Sequence, residues 1–349
     1  MASFDLTQPV FPINASGRHY SLVLPDWKTD YIQGMLAEKA VPYELGMLQA
    51  MDSFLRGGDL VLDVGANIGN HTLYLAMIVG CRVVAFEPNP ILSTPLQQSI
   101  AINGVGDRVA LVCKGVGAVE ARAVFADLNP ANLGAQSLAL IDQSSQGDLD
   151  AVDSVGVIAL DSIKFDAPVK AIKIDVEGME LDVLEGAKRL IESSKPNLFI
   201  ESQDEEQFLA VHDTLWQWGY VYWSTFNATP TNWFIPLDHA NGADLQQHGL
   251  EQGKAFYKLW KERQQLRRSL IGLRKQHEAL QNQLIASKHA DLVKGANEND
   301  ADRLPEKPLS FDFSDKLDQA WDFAGASWVN NSEHKKALGL DFSVSERSV

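Results

Sequence analysis

The sequence predicts an α/β fold, a doubly wound and mostly parallel sheet, followed by a long C-terminal helix of coiled-coil type. Three observations carry that expectation. Between residues 58 and 240, short and nearly continuous apolar runs end in Gly or polar residues, as strands buried on both faces do. Segments of helical spacing separate the runs, an alternation that belongs to parallel sheets. Beyond residue 254, leucines instead recur every seven residues.

Residues 1–57 read as an N-terminal lead-in or cap, and residues 58–240 as the α/β domain. Its strands are expected at LVLDVG (60–65), RVVAFEP (82–88), VALVCKG (109–115), KAIKIDVEG (170–178) and NLFIES (197–202). Helical spacing runs from Asn70 to Ile78, through PLQQSIAING, and through MELDVLEGAKRLIESS, where Leu184, Ala187 and Ile191 share one face. FLAVHDTLWQWGY follows with Phe208, Val211, Leu215 and Trp218 on one stripe. VYWS (221–224) and NWFIPL (232–237), joined by a polar turn, suggest a hairpin at one edge. Residues 116–158 break the alternation. ARAVF, QSLAL and VGVIAL are β-like pieces among turn signals, so the stretch reads as an inserted hairpin region near the strand ends, where substrate contacts concentrate.

The basic stretch is a unit of its own. Residues 254–294 hold ten Lys and Arg against three acidic residues, a surplus of seven, which leaves −23 on the rest of a chain whose net charge is −16. Leu259, Leu266, Leu273 and Leu280 occupy one seam position of a helix spanning 241–294, and Phe256, Leu270 and Leu284 fill the alternate one. Arg263 and His277 share that seam. They weaken a simple zipper or set its register. Homo-oligomerisation through 254–286 is the expectation, with a helix packed on its own domain as the alternative. Residues 295–349 read as a polar linker and an acidic tail with scattered aromatics.

The 349 residues are 45% apolar and 22% charged, which excludes collagen-like, wholly disordered and disulfide-scaffold chains. The acidic balance disfavours nucleic acid as a partner; the basic helix alone could touch an anionic membrane surface. Cys81 and Cys113 lie in or beside apolar runs, where a reduced thiol behaves as a small hydrophobe. The N-terminus shows no basic stretch before an apolar core, and apolar stretches break within about ten residues, too few to span a bilayer. A cytoplasmic location is expected.

The strongest chemical signal is LVLDVGANIGNHTLYLA, a strand entering a Gly-containing turn and then a helix. Open α/β sheets bind ligands outside the carboxyl ends of such strands. A dinucleotide fingerprint needs G-x-G-x-x-G, and Asn67 and Asn70 stand at its second and third glycines. An acid at the end of the first strand (Asp63), a G-x-N-x-G turn, and Glu87 after the second strand remain. A carboxylate there accepts from both hydroxyls of a ribose. A nucleoside ligand without a pyrophosphate fits, and Asp63, Glu87 and Asp175 favour a cationic one.

DVGANIGNHT, VVAFEPNP, IKIDVEGMELDVLEGA and PNLFIE resemble, in this order, the FkbM-type methyltransferases, a branch of the S-adenosylmethionine-dependent Rossmann-like class I fold. The resemblance covers about residues 30–240, including Tyr43-Glu44. It implies that Gly65, Ala66, Asn67, Gly69 and Asn70 wrap the methionine part of S-adenosylmethionine. Asp63 then bonds its amino end or orients the loop, Glu87 holds the ribose, and Lys114, Gly115 and Val116 flank the adenine. Asp175 faces the cofactor. Similar proteins mostly methylate hydroxyls of sugars and polyketides, so a carbohydrate acceptor is implied.

Methyl transfer to a hydroxyl requires a positioned acceptor and a proton sink. His71, Asp175 and Glu177 are the catalytic candidates, and Glu201, Asn132 and Gln136 the substrate-contacting ones. Asp175, Glu177 and Glu201 could supply oxygen ligands, but without clustered His no metal is expected. Glu180 and Glu185 read as first-turn charge on a solvated face, with a bracing role for Glu180 as the alternative. The competing reading of the whole chain is an interaction protein whose coiled coil recruits a glycan-modifying or glycan-assembly enzyme.

Overall fold

The computed structural model describes residues 8–126, 133–134, 136–141 and 154–295, with side chains as far as 287. The chain divides into two units, residues 1–257 and 258–349.

The first unit opens with a hairpin of β1 (Val10–Ala15) and β2 (Arg18–Val23) inside the expected lead-in or cap, for which the sequence reading names no strand. Its signal was Ser16-Gly17, a two-residue turn with both residues at positive φ, as tight hairpins demand. Two helices follow, α1 (Tyr31–Lys39) and α2 (Leu45–Phe54). Then come β3 (Leu60–Val64), α3 (Asn70–Tyr74), which continues as a π-helical turn over Leu75–Val79, β4 (Arg82–Phe86), α4 (Pro90–Ile102) and β5 (Val109–Val112). Asn89 caps α4 by accepting from Ile91 N, with Pro90 at the first helical position.

The inserted region forms a separate sheet of four strands rather than a simple hairpin. Its members are β6 (Gly115–Val116), β7 (Ala121–Phe125), β8 (Leu138–Leu140) and β9 (Val155–Ile158), in the order β6-β9-β7-β8. The main sheet resumes with β10 (Val169–Ile174), α5 (Glu180–Glu185), α6 (Lys188–Ser194), β11 (Asn197–Glu201), α7 (Glu205–Gln217), β12 (Tyr220–Phe226) and β13 (Thr231–Pro236). The sequence placed one helix over 179–194; the structure breaks it at Gly186-Ala187. The break follows from Gly186, where a Cβ would stand 2.1 Å from the carbonyl oxygen of Gly117.

The seven-stranded sheet runs β12-β13-β11-β10-β3-β4-β5. Five strands are parallel, and the antiparallel hairpin β12–β13 closes one edge. Alternation sorts the core. Val61, Val83, Ala85, Ala171 and Phe199 face the N-terminal hairpin and α1 to α4, whereas Leu62, Val64, Ile172, Ile174 and Leu198 face α5 to α7. Chain order departs in opposite directions from β3 and β10, so the switch point lies between them.

Helix α8 (Gly242–Gly295) is continuous. Its start is seated by His248, whose ring stacks on Trp223 with centroids 4.1 Å apart. Among the described residues no helix is long and apolar enough to cross a membrane.

Candidate functional site

The carboxyl ends of β3 and β10 flank the switch point, and both run into glycine-bearing loops. Gly65 turns the chain at φ +78°, and a Cβ there would stand 1.8 Å from the carbonyl oxygen of Asp175. Only glycine meets both demands. Its N–H and that of Ala66 share the carbonyl of Phe86 at 3.0 Å. Asn67 is left-handed and donates its N–H to Glu87 Oε2 at 2.8 Å. Gly69, at φ +90°, begins α3 under the side chain of Leu96.

Glu87 is buried, and its other oxygen accepts from Asn89 N at 2.8 Å. Burial pushes this carboxyl up to about 7 in spite of both N–H bonds. An ionised carboxylate offers about four lone-pair sites, so two are left for the hydroxyls of a ribose.

Behind the loop lies a charge cluster that the sequence reading missed. Lys173 pairs across the sheet with Asp63, and both are buried on the face toward α3. Its Nζ lies 2.8 Å from Gly65 O, 3.0 Å from Asp175 Oδ2 and 3.8 Å from Asp63 Oδ1. Burial alone would favour the neutral amine, but Asp175 and Asp63 hold the ammonium above its ordinary pKa. Asp63 also accepts from Thr72 Oγ1 at 2.5 Å. Asp63 is fully buried behind the loop, with Oδ2 bonded to Thr72 and Oδ1 without a hydrogen-bond partner. The available signal for Lys173 was a cation between two isoleucines on a strand whose other lysine, Lys170, is exposed near its start.

After β10 the loop is strained and braced. Glu177 is left-handed at φ 54° and precedes Gly178 at φ 108°. Glu180 Oε1 accepts from Val176 N and Gly178 N, each at 3.2 Å, and its other oxygen accepts from Gln207. Glu180 is therefore a buried brace and not part of a solvated face; Glu185 is exposed as expected. Gln203 donates to Glu177 Oε2 at 2.7 Å. Burial, with the charges of Asp175 and Glu180, pushes the Glu177 carboxyl up to about 7.

Glu201, at the end of β11, is also held far above the ordinary carboxylate range by burial and by Asp175, so it keeps its proton at neutral pH. Asp175 goes the other way. Its burial is outweighed by Lys173 and by a hydrogen bond from Glu201. Carboxylate oxygens of Asp175, Glu177 and Glu201 lie within 4.8 Å of one another, a spacing that oxygen ligands of a divalent cation also show. The ammonium of Lys173 already supplies positive charge to this group.

His71 sits in the first turn of α3 with Nε2 3.1 Å from Glu44 Oε2, close but without hydrogen-bond alignment. Asn70 lines the same cleft as His71. Its amide donates to Tyr43 O and accepts from Tyr43 N, both at 2.9 Å, so it fastens the 43–44 segment to the loop.

Two clefts meet here. One is floored by Gly115 and Val116, edged by Lys114, and walled by Phe86, Asn89, Leu138 and Gln136. The other holds Tyr43, Glu44, Ala66, Asn67, His71, Lys173 and Glu201. Gly65, Glu87, Gly134, Asp175 and Glu177 line both. Gln136 is buried against Asn89, whose Nδ2 donates to it at 3.1 Å. Asn132 lies outside the described residues.

No curated protein matches the chain in sequence. Among solved structures it is similar to a methyltransferase FkbM from Methylobacillus flagellatus KT, at 20% identity and a TM-score of 0.42. That match covers 58% of this chain and 52% of the other, so the chain spans about half the length of this relative. An rRNA methylase from Streptococcus thermophilus matches at 14% identity and a TM-score of 0.34, over 55% of this chain and 95% of the other. TrmK of M. capricolum, solved with S-adenosyl-homocysteine, matches at 11% and 0.32, over 54% and 66%. Residues 63–222, which carry both loops of the switch point, match the family model of the methyltransferase FkbM domain. Residues 63–222 of the chain thus carry a methyltransferase FkbM domain.

Proposed function

We propose that the chain is an O-methyltransferase that moves the methyl group of S-adenosylmethionine to a hydroxyl of a sugar or glycoconjugate in the cytoplasm. The observation that carries this reading is the wall of the second cleft, where His71, Asp175, Glu177 and Glu201 surround the space beside the Gly65 loop. A hydroxyl must lose its proton as it is methylated, and this wall brings Glu177 and His71, side chains that can accept one, beside that space. The −23 on residues outside 254–294 suits a neutral acceptor better than a polyanion. Cys81 and Cys113 are unpaired, in keeping with a reducing compartment.

The residues present fit the cofactor. Gly65 leaves backbone where a Cβ would block the turn, and Glu87 has lone pairs to spare for a diol. Gly65, Ala66 and Asn67 would cradle the amino-acid end, Glu87 the ribose, and Gly115, Val116 and Gln136 the base. When bound, S-adenosylmethionine supplies an electrophilic methyl group on a cationic sulfur. Lys173 keeps Asp175 ionised, and that carboxylate faces both clefts. Glu177, poised at about 7, accepts the hydroxyl proton near neutral pH. His71, backed by Glu44, is the second acceptor within the cleft.

The test is incubation with labelled S-adenosylmethionine and a panel of glycans, lipids and amines, followed by mass spectrometry of the labelled product. A methyl ether on a sugar supports the reading. Label confined to amine nitrogen overturns the hydroxyl assignment, and absence of cofactor binding in titration calorimetry overturns the enzyme. A second reading, a scaffold that recruits a glycan-modifying enzyme, is favoured by the exposed apolar seam of α8; it predicts full biological effect from a Gly65→Asp variant that cannot bind the cofactor.

A further inference from the structure

The proposed methyl transfer makes no use of the most exposed apolar surface among the described residues, one side of α8. Leu259, Leu266, Leu273 and Leu280 each expose 64–68% of their surface, and Leu270 and Leu284 more than half. On a continuous helix these residues, with Phe256, Arg263 and His277, follow one another at alternating steps of three and four. Leucine takes every second position of the seam, which is the d position of a heptad; the others are a positions. A helix with this stripe in water is incomplete, because most helix stability in proteins comes from burying the apolar face.

We propose that the stripe is the interface of a parallel, two-stranded coiled coil between two copies of this chain. Three features select that occupant. The flanking charges complement their own copies in one orientation only. Glu262 is at a g position and Arg267 is five residues on, at the following e position. In a parallel in-register pair g faces the e position five residues on in the other strand, so Glu262 meets Arg267 twice by symmetry. In an antiparallel pair centred on Leu270, e faces e, and Arg267 meets Arg274. That arrangement sets like charges together. Second, Arg263 and His277 occupy a positions. Polar a residues fix register and strand number at some cost in stability, and in a two-stranded coil their ends can turn to water at the seam edge. Third, the seam extends four heptads from Phe256 to Leu284, enough for knobs-into-holes packing to outlast frayed ends.

The parallel orientation has a consequence for function. Both copies of Gly242 come to the same end of the coil, so two copies of residues 8–241 leave from one end. Acceptors repeated on one polymer or one surface would then be met by two active sites, the second at raised effective concentration.

The test is light scattering on the full chain at micromolar concentration. A mass twice the 38.4 kDa of the chain is expected, falling to one chain in the double variant Leu266→Asp/Leu273→Asp, with S-adenosylmethionine binding unchanged. Orientation is read in two ways. Glu262→Arg should weaken the dimer roughly fivefold, and adding Arg267→Glu should restore it. With Cys113 replaced by Ser, His277→Cys should form a symmetric disulfide under mild oxidation. A single-chain mass, or a dimer that survives the aspartates, overturns the interface. A three- or four-chain mass overturns the strand number, and failure of both the charge swap and the disulfide overturns the parallel orientation.

Discussion

The ammonium of Lys173 and the carboxylate of Asp175, two residues apart at the end of β10, stand 3.0 Å from each other at the switch point. The same ammonium holds the carbonyl of Gly65 at 2.8 Å. One buried cation thus ties the loop after β3 to the carboxylate after β10, and the two halves of the ligand crevice are set against each other through it.

Removing that cation should be costly. Lys173→Met leaves Asp63 and Asp175 without their shared counter-charge, and breaking a buried pair in this way destabilises by about 3–5 kcal/mol. Urea unfolding followed by circular dichroism measures it. A loss under about 1 kcal/mol would show that water or rearrangement replaces the ammonium.

Gly65→Ala should abolish cofactor binding more completely than Gly69→Ala. At residue 65 the new Cβ would stand 1.8 Å from a backbone oxygen, which cannot give way without moving the strand end. At residue 69 the first atom met is the flexible Leu96 Cδ1. Titration calorimetry on both variants should find binding lost at 65 and weakened at 69; equal losses would contradict the close approach of Asp175.

Carboxyl groups raised toward 7 predict two opposite pH effects. The folded apo protein holds protons on Glu87 and Glu177 that the unfolded chain has released, so between about 4.5 and 7 stability falls as pH rises. Glu201 extends the trend above 7. Cofactor affinity should move the other way, because only ionised Glu87 accepts from two backbone N–H groups and two hydroxyls together. Urea midpoints and dissociation constants at pH 5.5, 6.5 and 7.5 check both signs, with Glu177→Gln flattening the stability profile.

The three clustered carboxyls should separate by function. Glu177→Gln removes the proton acceptor and should lower kcat about 10²–10⁴-fold, the usual worth of general base catalysis, with little change in cofactor affinity. Glu201→Gln replaces a carboxyl already protonated at neutral pH by its neutral isostere and should cost less than tenfold. Single-turnover rates with an identified acceptor decide. If Glu201→Gln were the more damaging of the two, the proton would leave by Glu201.

How far the site could be read along the chain depended on the range of each interaction. The strand runs, the glycines at 65 and 69 and the carboxylate at 87 lie in contiguous segments, where side-chain period and turn chemistry act over a few residues, so they were legible without coordinates. Ser16-Gly17 was legible in principle, since tight hairpin turns announce themselves locally. Asn70 was not. Its amide closes on Tyr43, 27 residues earlier, a bond that no local pattern announces.

By itself, the sequence determined a parallel α/β sheet, a glycine turn over a ligand crevice, an FkbM-type methyltransferase reading and a basic heptad helix, because periodicity and motif order are properties of the chain. Tertiary structure alone decided that Lys173 meets Asp63 across the sheet, that Glu180 is a brace, and that His71, Glu44, Asp175, Glu177 and Glu201 share one cleft. Those relationships join residues up to 157 positions apart, from 44 to 201. Burial then sets which carboxyls keep their protons, a choice made by the low-dielectric surroundings that folding creates.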